Sequence, residues 1–128
     1  WMADIPKLVA MADNVSTRCS VDTGVSVPYW YSTVRYQGVS LMRFLASRMD
    51  FVVVMNYRSR VSGPGSVSYW HDRLTRHLRV TGKPAGFAVD FRGSEPGSYF
   101  QRRSQLRAAL RAVPSTVNSS YTLLRASR

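Results

Sequence analysis

The sequence predicts an α/β fold of four βα units with parallel strands, half of a (β/α)8 TIM barrel, and three observations lead there. The segment Phe51-Val52-Val53-Val54-Met55 is apolar throughout, without period-two alternation, as expected of a parallel strand covered on both faces. Helix-period stretches alternate with short apolar runs, which implies parallel pairing through right-handed crossovers. The strand centres fall near positions 22, 53, 88 and 122, close to the spacing of about 31 residues per unit in a complete barrel of about 250 residues. A small open sheet of four parallel strands is the alternative architecture.

Each element has its own signal. Asp4 is placed to cap a first helix with Pro6 in its opening turn, Ile5, Leu8, Val9 and Ala12 fall on one face, and Asn14 is the expected stop. An extended stretch from Cys19 to Val27, bent at Gly24, ends in the aromatic run Pro28-Tyr29-Trp30-Tyr31. A polar link through Gly38 reaches Ser40, the cap of a short helix lined by Leu41, Met42, Leu45 and Met49. After the Phe51 strand comes a loop from Arg58 to Gly65. Val67, Trp70, Leu74, Leu78 and Thr81 then recur at helical spacing, with Gly82 as the residue beyond the helix. Gly86 to Val89 forms the next strand, ending in Asp90. Ser94-Glu95-Pro96 opens a last helix with Tyr99, Leu106, Ala109, Leu110 and Val113 inward, Arg103, Arg107 and Arg111 on a solvated flank and Pro114 as its end. Tyr121 to Leu124 is the closing strand.

The 128 residues make a single domain, with enough chain to bury a core. One cysteine, Cys19, rules out an intrachain disulfide, so packing alone must hold the fold. No apolar run is long enough to span a bilayer, and no signal-peptide pattern opens the chain, so no membrane partner is expected. The compartment stays unassigned.

The net charge of +11 is uneven. Residues 1–49 hold five basic and three acidic groups, residues 50–128 thirteen and four, and sixteen of the eighteen bases are arginine. A small arginine-rich nucleic-acid binder is therefore a second reading, although such charge by itself supports only non-specific binding to nucleic acid.

The phrases Val27-Pro28-Tyr29-Trp30-Tyr31, Asp50-Phe51-Val52-Val53-Val54-Met55-Asn56-Tyr57-Arg58 and Lys83-Pro84-Ala85-Gly86-Phe87-Ala88-Val89-Asp90 together resemble chitinase-like barrels of the glycoside hydrolase family 18 superfamily. Val53-Val54-Met55-Asn56-Tyr57 looks like the sixth-strand Met-x-Tyr motif of that family. The resemblance covers most of residues 19–92 and implies that the chain is the C-terminal portion of a larger barrel. It departs from the family in three ways. The Asp-x-x-Asp-x-Asp-x-Glu signature that carries the acid is missing, Arg58 stands where an Asp usually follows the tyrosine, and no tryptophan follows Trp70.

The implied activity is glycosidase-like only when the missing half is present, and the chain alone is expected to be inactive. Glycoside hydrolysis uses two carboxyl groups flanking the bond. Asp90, at a strand's mouth, is the best-placed candidate, with ion pairing to Arg58 or Arg92 as its structural alternative; Asp22 ranks behind it. Tyr57, delivered to the same rim, is the other candidate catalytic group. Trp30 and Tyr29 offer rings, and Asn56 and Arg58 offer polar groups, for a carbohydrate partner. Asp50, at the opposite end of its strand, is expected to serve stability.

No Cys/His spacing suits a metal, and no glycine-rich phosphate loop occurs, so no cofactor is expected. A third reading is a non-catalytic carbohydrate-binding or scaffold protein that covers its open sheet edges by forming a homodimer.

Overall fold

A computed structural model describes residues 2–58, 60, 62–91, 104, 107, 108, 111 and 119–125, with only the backbone described for 90, 91 and 119–125. The fold is mixed α/β around a parallel sheet. A 3-10 turn at Met2–Asp4 leads into α1 (Ile5–Arg18), followed by β1 (Gly24–Pro28) and a 3-10 turn at Tyr29–Ser32. The short strands β2 (Arg35–Tyr36) and β3 (Val39–Ser40) precede α2 (Leu41–Ala46) and β4 (Phe51–Met55). Then come α3 (Val67–Leu78), a 3-10 turn at Arg79–Thr81, β5 (Ala85–Phe91) and β6 (Ser119–Arg125).

The main sheet has the order β1-β4-β5-β6, every pair parallel. The strands therefore stand side by side in chain order. Right-handed crossovers all stepping the same way collect the connecting helices on one face of the sheet. The core has that composition: Ile5 and Val9 of α1, Leu41 and Leu45 of α2, and Leu74 and Leu78 of α3 pack with Val27, Val52, Val54 and Phe87.

The opposite face corrects the expectation of a strand buried on both sides. Along β4 burial alternates, Val52 and Val54 being fully buried while Phe51 is 39% exposed and Val53 and Met55 are half-buried. Register places Gly24 beside Phe51 and Ser26 beside Val53 in this second row, and Gly86 follows on β5. Phe51, Val53 and Met55 keep contact with water, while Ala88 of β5, beside Met55 in the same row, is buried.

Local chemistry explains where the elements begin and end. Helix α1 passes Asn14 and runs to Arg18, because no glycine or proline follows Asn14 to break the ladder; Cys19 N donates to Val15 O at 3.1 Å to close it. Strand β1 starts at Gly24 rather than Cys19, since pairing begins where Gly24 meets Phe51. Just before it, Thr23 N and Oγ1 donate to Asp50 Oδ2 at 2.8 and 3.2 Å, while Asp50 N donates to Thr23 O at 2.9 Å. This clasp ties the amino ends of two neighbouring strands and fits the structural role expected of Asp50.

The polar link is a hairpin. Gln37 and Gly38 both adopt positive φ, 47° and 82°, the two-residue geometry that matches the twist of paired strands. Ser40 caps α2 by accepting from Arg43 N at 3.2 Å, and Ser66 caps α3 by accepting from Tyr69 N at 3.2 Å. Gly82, at φ 65°, takes the left-handed position after Thr81.

Between β5 and β6, residues 104, 107, 108 and 111 are helical, and Arg107 and Arg111 are exposed as expected of a solvated flank. The predicted helix start at Ser94-Glu95-Pro96, Arg103 and the inward side chains Tyr99, Leu106, Ala109, Leu110 and Val113 lie outside the described residues.

Candidate functional site

The carboxyl ends of β1 and β4 open side by side, and the residues leaving them meet. Pro28 ends β1 and turns the chain into the 3-10 turn that carries Tyr29, Trp30 and Tyr31. Met55 ends β4 and releases Asn56, Tyr57 and Arg58. Helix α3 then returns with Tyr69 and Trp70 in its opening turns.

Arg58 is the centre of this group. Its guanidinium carbon lies 3.6 Å from the centroid of the Tyr29 ring and 5.5 Å from that of Trp70. Tyr29 and Trp70 are themselves in contact, centroids 4.9 Å apart and tilted by 56°, and Tyr69 meets Trp70 edge-on at 5.6 Å. A cation lodged against two aromatic faces is held by their quadrupoles as well as by packing. Arg58 Nε is buried and has no hydrogen-bond partner among the described residues, and the contacts they give its guanidinium are with ring faces.

Asn56 has a different task from the one its sequence position suggests. It is fully buried, its main-chain N–H donates to Ala88 O at 2.8 Å, and Nδ2 donates to Val67 O at 3.0 Å. The side chain thus reaches across the loop to the first residue of α3. Its Oδ1 is buried without a partner among the described residues.

Trp30 lies next to Tyr29 in the same 3-10 turn. It is 37% exposed and meets Tyr31 edge-on, centroids 4.6 Å apart. Tyr57 is half-buried beside Asn56. Asp90 lies in β5, its backbone paired with Leu124 of β6, and its side chain lies outside the described residues.

The structure therefore brings Tyr29 and Arg58 into contact and buries Asn56, while Trp30 and Tyr69 are exposed rings near these strand ends. Asp22 is exposed and precedes Gly24, at the amino end of β1, which removes it from the rim. Asp72 is exposed on α3. Among the described side chains, no carboxylate lies at the carboxyl end of a strand, and no group of three His, Cys, Asp or Glu is arranged to hold a metal ion. Nor is any described helix long and apolar enough to cross a membrane.

Sequence reading missed Trp70 as part of this group. Its place in the Val67, Trp70, Leu74, Leu78 stripe marks it as inward-facing, but periodicity says nothing of which neighbour it meets. Arg58, three residues after the end of β4, was the available signal.

The class defined by these features is a parallel α/β domain whose strand ends carry an aromatic and guanidinium cluster. No protein-family model, curated protein or solved structure matches the chain.

Proposed function

We propose that the chain is part of a glycosidase-like βα barrel and contributes one side of a carbohydrate-binding cleft at the carboxyl ends of its strands, with the catalytic acid supplied by another part of that barrel. The observation that carries this reading is the sheet itself: parallel strands in chain order, helices gathered on one face, and on the other an apolar row whose β4 side chains Phe51, Val53 and Met55 stay partly open to water. Parallel sheets are normally covered on both faces. Four further strands closing a cylinder would cover Phe51, Val53 and Met55, as the interior layers of a barrel do.

In this reading the exposed ring of Trp30 stacks on a sugar face and Arg58, held by Tyr29 and Trp70, presents its remaining N–H groups to hydroxyls. Tyr57 offers a hydroxyl to the same rim. Asn56 is a positioning residue that fixes the start of α3, and Asp90 is the one carboxyl group proposed for the cleft.

The test is titration of the chain with N-acetylglucosamine oligomers, followed by tryptophan fluorescence. A saturable change that disappears in Trp30→Ala supports the cleft, and no change in the wild-type chain sinks it. The barrel has its own check, because an in-frame strand ending in paired acids in the coding sequence ahead of Trp1 is required by it.

The open row also favours a second reading, a non-catalytic scaffold whose uncovered sheet faces meet in a homodimer. Sedimentation at equilibrium separates the two, since a well-folded monomer at tens of micromolar excludes the dimer.

A further inference from the structure

A second cluster of chemistry lies on the helix side of the sheet. A surface pocket of about 370 Å³ is lined by Ser32, Thr33, Arg43, Arg73, Arg76 and His77, with the buried Leu74 beside them. It adjoins the 3-10 turn after β1 but shares no residue with the Tyr29, Arg58 and Trp70 group.

Every charged group in that lining is basic. Arg43 comes from α2 and Arg73, Arg76 and His77 from α3, so two helices bring the charges to one concavity. Arg43 Nε donates to His77 O at 2.7 Å and Arg76 Nε to Asp72 O at 3.2 Å, which ties down one N–H of each. Their terminal nitrogens, and the whole guanidinium of Arg73, have no hydrogen-bond partner among the described residues. No carboxylate among them lies within ion-pair distance of Arg43, Arg73 or Arg76. Crowding like charges around a hollow without counter-charge is unfavourable, and an anion in the hollow reverses the sign of the interaction.

The hydroxyls of the lining have another part. Ser32 Oγ donates to Tyr29 O and Thr33 Oγ1 to Trp30 O, both at 2.8 Å, so these two shape the wall and the guanidiniums supply the donors.

We infer that this pocket binds a small phosphorylated compound through a phosphomonoester dianion held by Arg43, Arg73 and Arg76. Three guanidiniums match a dianion better than a single carboxylate, and each fork can pair bidentately with phosphate oxygens. The volume is at the small end of the range of about 300–1,000 Å³ typical of small-ligand sites. A convergent hollow, as opposed to a stripe of bases along a surface, favours a compact ligand over a polynucleotide backbone. The state of His77 supports the same field: burial and then the charges of Arg43, Arg35 and Arg73 lower its pKa. The inference is independent of the carbohydrate reading, since neither set of residues enters the other.

The experiment is calorimetric titration of the full chain at pH 7 with inorganic phosphate, phenyl phosphate and, at matched ionic strength, chloride. Saturable one-to-one binding of both phosphates, without binding of chloride, is expected. Affinity should fall at least tenfold in R73Q and further in the R73Q/R76Q pair, both exposed positions where the fold is retained, as circular dichroism would verify. R18Q, which removes one exposed charge at the end of α1, should leave affinity unchanged. The proposal is overturned by absence of saturable phosphate binding, by equal affinity in R73Q/R76Q, or by an equal loss in R18Q. Binding of a random DNA duplex that displaces phosphate and weakens in the same two variants would assign the pocket to nucleic acid and also overturn it.

Discussion

The ring of Phe51 occupies the space that a side chain at Gly24 would need, the two residues being partners in the β1–β4 register. The relationship explains why β1 opens with glycine beside Phe51.

Gly24→Val is therefore expected to push the partly exposed Phe51 ring off its present rotamer at a cost of about 0.5–1.5 kcal/mol. In a Phe51→Ala background the penalty should vanish. There Gly24→Ala should become neutral or stabilising by up to about 1 kcal/mol, because it restricts the unfolded chain. Urea unfolding of the four proteins in a double-mutant cycle measures the coupling; additive effects would show that the ring does not occupy this space.

Arg58 makes its principal contacts with ring faces, so charge alone should not replace it. Arg58→Ala is expected to cost about 0.5–2 kcal/mol from the lost cation–π contacts. Arg58→Lys should recover only part of that, since an ammonium lacks the planar stack. Both differences should shrink in a Tyr29→Leu background. Equal stability of the Lys variant and the wild type in chemical denaturation would contradict the stacking.

The Asp50–Thr23 clasp predicts an acid limb. The hydrogen bond from the Thr23 backbone, with smaller help from the Thr23 hydroxyl and Lys83, lowers the Asp50 pKa below its ordinary value of 3.8, against an opposing effect of desolvation. Between the folded and unfolded values the unfolded chain binds more protons, so stability rises with pH there. The contribution is complete above about 3.8 and is lost as pH falls through the folded value. Asp50→Asn should flatten that part of the stability profile, as followed by urea midpoints between pH 2 and 5.

Ser40 and His77 give a second pH-dependent step. Ser40 Oγ lies 2.6 Å from His77 Nε2 while accepting from Arg43 N, so Ser40→Ala removes a helix cap and a side-chain bond together. A loss of about 1–2 kcal/mol is expected. The folded pKa of His77 is depressed below 6.5, chiefly by desolvation. Its contribution is therefore present above about 6.5 and lost as pH falls through the folded value. His77→Gln should remove the slope in that window; an unchanged slope between pH 5 and 7 would count against a half-buried ring held neutral.

Much of the fold was legible in the residues, for local reasons. Phe51–Met55 is a strand with the bounds expected, and Ser40 and Gly82 cap and end their helices as their chemistry requires. The run from Cys19 to Thr23 was less legible, because its strand character depended on a partner and pairing begins only at Gly24. One covered face was read as two, because an unbroken apolar run carries no mark of which side meets helices. The candidate site was legible in its parts and hidden in its arrangement. Arg58 and Tyr29 were both placed at strand ends, but Asn56 turned inward to Val67, and nothing in helical spacing joins Arg43 to Arg73 across two helices.

Chain-order pairing also bears on how the molecule is made. Each strand of the sheet adds to the one synthesised before it, so a chain emerging from the ribosome always presents a standing template to the next segment. Among the described residues, the buried members of the helix-side cluster all precede position 88. A nascent chain halted after Phe91 already holds those described core residues, and β6 joins along the edge that β5 presents.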